Sequence, residues 1–510
     1  MFSKVLSFAI IGIDAFLVEV EVDFTKGLPG IVLVGLPDSS VKESKERVRT
    51  AIKNSGFKFP LKRVVINLAP ADLKKEGSMF DLAIALAVLS AGDFINREFL
   101  KSRAFLGELS LDGSLRPVKG ILPSIIKATQ LGIKEVVVPR ENLKEASLVK
   151  EAKVLGAGHL REVIDFLRGV GELEIAKSDE SFEISYDYEV DFADVIGHEF
   201  VKRAFLISAA GGHNLLMIGP PGSGKTMLAQ RMPTILPPLS YEEALETTKI
   251  YSVAGLLSSE KPFITTRPFR NPHFGISEAG LIGGGSNPKP GEISLAHNGV
   301  LFLDEFPEFR RDVIEALRQP LEDGKVTITR ASFSVTYPCK FILLCAMNPC
   351  KCGYYGHPKK ICQCSPAELK KYRSKLSGPI VDRIDIHVEV PDVEYKDLIE
   401  AKQSPGMNSE EMREQVVKVR KIQEKRYGSP LKLNAHLKAK EIKKYCKTDE
   451  KGRKFLELIS DKFGFSARTI HKILKVARTI ADLKECEIIL REHLAEAVQY
   501  RVLERGLWDE

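Results

Sequence analysis

The stretch GPPGSGKT, Gly219 to Thr226, sets an amine and a hydroxyl on a turn of small residues. It satisfies G-x-x-x-x-G-K-[ST], a pattern suited to phosphate because glycines let backbone N–H groups approach phosphate oxygens closely. Gly219, Pro220, Pro221, Gly222, Ser223 and Gly224 are the expected cradle, Lys225 would neutralise terminal phosphates, and the Thr226 hydroxyl would reach Mg²⁺. The apolar run HNLLMIG precedes the turn and a helical stretch follows it, which is the setting the motif needs. A second run, VLFLDE, ends in Asp304 and Glu305, neighbours that point in different directions from a strand. Asp304 is expected to hold Mg²⁺ and Glu305 to polarise the water that attacks a γ-phosphate. A third run, KFILLCAMN, would deliver the Asn348 amide beside the same phosphate to orient that water. ATP and Mg²⁺ are the ligands such a set requires.

Four of the eight cysteines follow Asn348 at once, in NPCKCGYYGHPKKICQCSP. Cys350, Cys352, Cys362 and Cys364 form C-x-C-x9-C-x-C, and four thiolates can close around one tetrahedral Zn²⁺. In a reducing compartment disulfides are the weaker account, although C-x-C is less diagnostic of zinc than C-x2-C. His357 is an alternative ligand or a residue of the tip. A closed site of this kind is structural, and it would hold a basic tip bearing Lys351, Tyr354, Tyr355, Lys359 and Lys360 at a fixed distance from the phosphate site. Contact of that tip with DNA is a further expectation.

The elements that must position these groups fall into an α/β pattern. Residues 1–168 alternate β-rich runs (AFLVEVEVDF, RVVINLA, EVVVP) with helical ones (SSVKESKERVRTAIKNSG, FDLAIALAVLSAG). Residues 169–190 are acidic, with seven carboxylates and one lysine between Gly171 and Val190, and read as a linker. Residues 191–392 hold the three strand candidates, separated by helical stretches as a parallel sheet requires, and carry the cysteine loop 350–364. Residues 393–510 are helical: Asn408 or Ser409 caps a stripe of Met412, Val416 and Val419, and Ser466 caps another with Ile470, Ile473, Leu474 and Ala477. A chain of 510 residues, 44% apolar and 28% charged, has the composition of a folded multidomain protein. Its longest apolar runs are too short to span a bilayer, so the cytoplasm is the expected location. A net charge of +7 suits nucleic acid without requiring it.

Taken together, these motifs resemble the AAA+ ATPases, in particular the magnesium-chelatase-like branch represented by the bacterial ComM and YifB proteins. The resemblance covers nearly the whole chain and includes FRNPHFGISEAGLIGGGSNPKPGEISLAHNGVLFLDE, NPCKCGYYGH, LSGPIVDRIDIHVEV and FSARTIHKILKVARTIADL. It implies that Arg383 in DRID is an arginine finger reaching a neighbour's ATP, that Arg468 in SAR is a sensor-2 arginine on a helical lid, and that the chain assembles as a homo-hexameric ring. It also implies a helix-2 insertion around RPFRNPHFGISEAGLIGGG and a β-hairpin in GKVTITRASFSVTYP, both facing a central pore. Arg267, Arg270, Lys325 and Arg330 would then contact DNA phosphates, with Phe269 and His273 as stacking surfaces. Such a ring would move branched or single-stranded DNA during recombination or transformation, with recombination proteins as further partners. The alternative is a chelatase-type motor subunit that remodels a protein partner without DNA.

The first domain resembles the Lon-protease type, a ribosomal S5 domain 2-like α/β fold, in LKKEGSMFDLAIALAVL and FLGELSLDGSLRPVKGILPSIIKATQLGIKEVVVPREN. A peptidase of that type needs a serine and a lysine. Ungapped matching puts Met79 and Leu122 there instead, so a scaffold without peptidase activity is expected, with Lys119 and Lys127 off the required position.

Overall fold

The computed structural model describes residues 2–177, 188–258, 260–285, 288–330, 333–392 and 407–508. They form two compact units, Met1–Glu183 with Ser240–Ile264, and Ile184–Leu239 with Thr265–Glu510.

The first unit is built on a mixed eight-stranded sheet. Its strands are β1 (Ser3–Ile11), β2 (Asp14–Thr25), β3 (Gly30–Val34), β4 (Arg63–Ala69), β5 (Arg103–Phe105), β6 (Glu135–Pro139), β7 (Lys153–Ala157) and β8 (Glu174–Ile175). They lie in the order β8-β7-β6-β5-β1-β2-β4-β3. β1 and β2 pair antiparallel with Leu6 opposite Glu19, and alternation sends Val18, Val20 and Val22 into the core while their neighbours face outward. The helix Ser39–Asn54 starts where the Asp38 carboxylate accepts the Val41 N–H at 2.8 Å, and it buries Val41, Ser44, Val48, Ala51 and Ile52 at helical spacing. The helix Asp81–Ala91 is buried on every side, which explains its unbroken apolar run. The segment Ser240–Ile264, inside the span expected as ATPase core, packs with this unit: its helix Tyr241–Ala254 places the Ser252 hydroxyl on the buried Glu145 carboxylate. The acidic stretch expected as a linker contributes a strand, since β8 adds an antiparallel edge to β7. The rest of that stretch, 178–187, lies outside the described residues, as does 393–406 at the start of the expected lid.

The second unit centres on five parallel strands: β9 (Leu215–Ile218), β10 (Phe269–Arg270), β11 (Gly299–Leu303), β14 (Phe341–Met347) and β15 (Ile386–Glu389), with a hairpin of β12 (Lys325–Arg330) and β13 (Phe333–Pro338) standing apart. The order β10-β11-β14-β9-β15 sets the Asn348 strand between the phosphate-loop strand and the acid-pair strand. Every residue of β9 and β11 is buried, as both faces of a parallel sheet covered by helices require. After it the chain is helical. Asn408 caps Ser409–Tyr427, which buries Met412, Val416 and Val419, and Ser466 caps Ala467–Leu483. A buried polar chain ties the helices to the sheet: Arg426 and Asn434 donate to Asp482 at 2.8 and 2.9 Å, Asn434 also donates to Thr479, and His213 bridges Thr479 (2.8 Å) and Asp385 (3.1 Å). The fold is therefore α/β: a mixed-sheet α/β unit, a second unit built on a parallel sheet and a helical C-terminal part. Among the described residues no helix is long and apolar enough to cross a membrane.

Candidate functional site

Parallel pairing aligns the C-terminal ends of β9, β14 and β11, and the three motifs follow those ends directly. The Lys225 ammonium donates to the Gly219 and Pro220 carbonyls at 2.8 and 2.7 Å and lies 3.4 Å from Asn348 Oδ1. The Thr226 hydroxyl donates to Asp304 Oδ2 at 2.6 Å, and Asp304 Oδ1 accepts the Glu305 N–H at 2.9 Å. Burial pushes the Lys225 ammonium below its ordinary value, against the pull of Asp304 and Asp392. Gly222 and Gly224 adopt φ of 83° and 84°, open only to residues without a Cβ at little cost, and a Cβ on Gly219 would stand 2.2 Å from the Val390 carbonyl. A glycine-lined cradle at a helix N-terminus, a cation across it, and a hydroxyl beside a carboxylate make a donor set that fits a magnesium-bound triphosphate. Glu305 is a non-glycine residue at φ 51°, exposed, and its carboxylate has no hydrogen-bond partner among the described residues.

Arg383 stands at the other end of the sheet. Asn214, just before β9, accepts the Asp385 and Ile386 N–H groups on its own carbonyl, and its side chain binds the Arg383 carbonyl (3.0 Å) and the Leu343 N–H (2.9 Å). The four residues of β9, about 13 Å of strand, therefore separate Arg383 from its own phosphate loop. Its guanidinium donates to the Pro379 carbonyl at 2.6 Å and pairs with Glu322. Arg468 is exposed in the first turn of Ala467–Leu483, one turn before Lys472, whose amine lies 3.5 Å from the Ile384 carbonyl. Arg383 thus belongs to the end of the sheet away from Lys225.

The expected DNA contacts divide. Arg267 is buried, 8% exposed, and donates to the carbonyls of Pro237, Pro238 and Asn298, which makes it a brace and removes it from any DNA surface. Arg270 is half-buried and donates to both oxygens of Glu292, at 2.6 and 2.8 Å. Phe269 stacks on Phe302 of β11 instead of presenting a ring. Lys325 is exposed at the foot of the hairpin, and the Arg330 side chain lies outside the described residues. His273 is exposed beside Phe274, ring centroids 4.1 Å apart, so the expected stacking surface is an aromatic pair. Replacing Arg267 with Ala should cost about 3 kcal/mol of stability by orphaning buried carbonyls, with no change in DNA affinity. Denaturant unfolding of this variant beside Lys325→Ala checks it: unchanged stability with weakened DNA binding would return Arg267 to the DNA surface.

The cysteine excursion packs against the phosphate site. All four sulphurs lie within 4.8 Å of one another, with Cys350–Cys352 at 3.3 Å, Cys352–Cys362 at 3.5 Å and Cys350–Cys362 at 3.7 Å. Zn–S bonds near 2.3 Å in a tetrahedron set sulphurs about 3.8 Å apart, so the set fits zinc. Desolvation would raise the Cys352 thiol, but the Tyr354 and Gln363 N–H groups and neighbouring thiols bring it down to about 6. Burial pushes Cys339 and Cys446 up to about 12, as ordinary core thiols. His357 is a tip residue: Nε2 meets Asp392 at 2.8 Å and Nδ1 accepts the Lys359 and Lys360 N–H groups, leaving no nitrogen for a metal. Tyr354 carries the Lys360 ammonium over its ring and Tyr355 the Arg373 guanidinium, each 4.7 Å away, so the first ring is engaged within the loop and the second by the helix Pro366–Arg373 that follows it.

In the first unit Met79 and Leu122 are both buried and supply no nucleophile or base. Ser78 hydrogen-bonds Glu108, and the buried Asp81 carboxylate is held by Ser44 and Arg47.

Family models cover most of the chain: "Magnesium chelatase, subunit ChlI" matches residues 191–398, "Subunit ChlI of Mg-chelatase" 20–142, and "Magnesium chelatase, subunit ChlI C-terminal" 406–501. The chain is 46% identical over 508 residues to competence protein ComM of Haemophilus influenzae, covering 99% of this chain and 98% of that one. It is 44% identical over 500 residues to the uncharacterized protein YifB of Escherichia coli, covering 98% and 97%. A shorter similarity, 25% over 175 residues, links 34% of the chain to 19% of a Lon protease of Leptospira interrogans.

Proposed function

The chain belongs to the magnesium-chelatase-like AAA+ ATPases of the ComM and YifB family, and from that premise we propose that it is an ATP-hydrolysing ring motor that acts on DNA. The observation that carries the hydrolytic half is the meeting of Lys225, Thr226, Asp304 and Asn348 at the ends of three adjacent strands. Thr226 and Asp304 would hold Mg²⁺, which would neutralise phosphate charge there. Lys225 exchanges loop carbonyls for phosphate oxygens, a favourable trade because the buried ammonium gains a full negative charge. Glu305 accepts a proton from the attacking water, and the Asn348 amide fixes that water's orientation. Arg383 acts as the finger on the ATP of an adjacent subunit and Arg468 as the sensor-2 arginine of the helical part; a finger in trans requires a closed ring and suits a homo-hexamer.

The DNA half is supported by the name and near-complete match of the competence protein, and by the exposed Lys325, His273 and Phe274 on the hairpin and the insertion. Branched or single-stranded DNA in recombination or natural transformation is the proposed substrate. The test is ATP turnover with and without forked DNA across a salt series. Stimulation by DNA is expected, with log affinity falling against log salt by about 0.7 per phosphate neutralised on a single strand. Turnover indifferent to DNA, with no salt-dependent binding, would favour a motor that remodels a protein partner.

A further inference from the structure

We infer that a zinc ion held by Cys350, Cys352, Cys362 and Cys364 locks the nucleotide cradle in place, so that metal occupancy sets the affinity for a nucleoside triphosphate. This rests on the ATP site proposed above and adds a control on it. The excursion touches that site at three points. Asn348, two residues before the first thiolate, lies 3.4 Å from Lys225 Nζ. Gly353, inside the cysteine turn, packs so closely on the phosphate loop that a Cβ there would stand 2.5 Å from Pro221 Cδ. His357, at the tip, binds Asp392, one of the two carboxylates whose charge acts on Lys225.

No regular secondary structure holds the excursion in shape. Residues 349–364 contain neither helix nor strand, and Ile361 is 89% exposed, so the loop has no apolar core of its own. Its internal anchors are the thiolate cluster, with the Tyr355 N–H on Cys350 Sγ at 3.3 Å, and the tip, where His357 Nδ1 accepts the Lys359 and Lys360 N–H groups and Tyr354 carries the Lys360 ammonium. Loops this long without secondary structure need a staple to keep one shape. A Zn²⁺ bound by four thiolates supplies one, and it has no open position for chemistry. Losing the ion frees Gly353 from Pro221 and His357 from Asp392 together, and the cradle loses the wall that fixes its mouth.

The experiment uses the full-length protein, with zinc measured by elemental analysis and binding of Mg²⁺ with a fluorescent ATP analogue measured by titration. One zinc per chain is expected, and replacement by Co²⁺ should give the visible bands of a tetrahedral cobalt thiolate. Chelator-stripped protein should bind the analogue about tenfold more weakly and recover when zinc is restored. Gly353→Ala keeps all four ligands and should retain zinc, yet lose affinity by a similar factor, because its backbone at φ 87° and the Pro221 ring both resist a methyl group. Equal affinity in zinc-loaded and stripped protein, or wild-type protein without zinc, would overturn the inference alone. Zinc-loaded protein that binds no nucleotide would overturn the ATP-site reading and this one with it.

Discussion

Glu305→Gln should leave binding of Mg²⁺ and ATP intact and lower turnover by about a thousandfold, within the range for loss of a general base. The two neighbouring carboxylates differ in how they are held. Both oxygens of Asp304 are engaged, one by the Thr226 hydroxyl and one by the Glu305 N–H, so this carboxylate is fixed in place beside the Lys225 loop. Glu305 is turned out of the strand by its left-handed backbone and its carboxylate has no partner among the described residues. A non-glycine residue at φ 51° costs about 1–3 kcal/mol, and the cost is sustained where the turn serves chemistry. Glutamine keeps the shape and the backbone strain, so the melting temperature should not move. What it lacks is the ability to take a proton. A fall in kcat at constant KM would mark an interaction made only in the transition state. Asp304→Asn should behave differently and weaken Mg²⁺-dependent ATP binding itself. Turnover that persists in Glu305→Gln would remove the general-base role.

What could be read from the chain followed from local chemistry. HNLLMIG, VLFLDE and KFILLCAMN each became a strand of one parallel sheet, because continuous apolar runs ending in polar groups have few other homes in an α/β fold. Asn408 and Ser466 cap helices as expected, since a cap is decided by residues three positions away. The cysteines converge for the same reason, two short pairs on one turn. What was not legible depends on partners distant in sequence. Nothing in RPFR separates Arg267, which braces carbonyls 29 to 31 residues away, from Arg270, whose partner is Glu292. His357 offers no sign that Asp392 will occupy it, nor Gly353 that Pro221 will press on it. Asn214 reads as an ordinary polar residue before a strand, yet it fixes the corner that carries Arg383. The departure of Ser240–Ile264 to the first unit was equally hidden, because its helix has an unexceptional sequence and only its contacts assign it.

Arg383→Ala should lower turnover by about a thousandfold while ATP binding remains, as expected when a cation that stabilises the transferring phosphoryl group is lost. In the ring proposed above that cation would serve another subunit, because its own phosphate loop lies at the far end of the sheet. Asn214 ties the Arg383 carbonyl to the N-terminal end of β9, and Lys225 follows the opposite end of the same strand. The four residues between them span about 13 Å of strand, farther than one side chain reaches, and the guanidinium is turned toward Glu322 and the Pro379 carbonyl. Exchanging the Glu322 carboxylate for a neighbour's phosphate keeps the guanidinium paired in both states, so the finger can engage at small cost. A mixing experiment follows. Glu305→Gln chains keep the finger and lose the base, and Arg383→Ala chains keep the base and lose the finger. In a randomly assembled equimolar ring about a quarter of the interfaces join an intact base to an intact finger, because each contact is head-to-tail. Two inactive preparations should therefore recover activity on mixing, at a level set by that fraction. If both variants are inactive alone and stay inactive together after subunit exchange, Arg383 does not act across an interface, and the ring loses its catalytic justification.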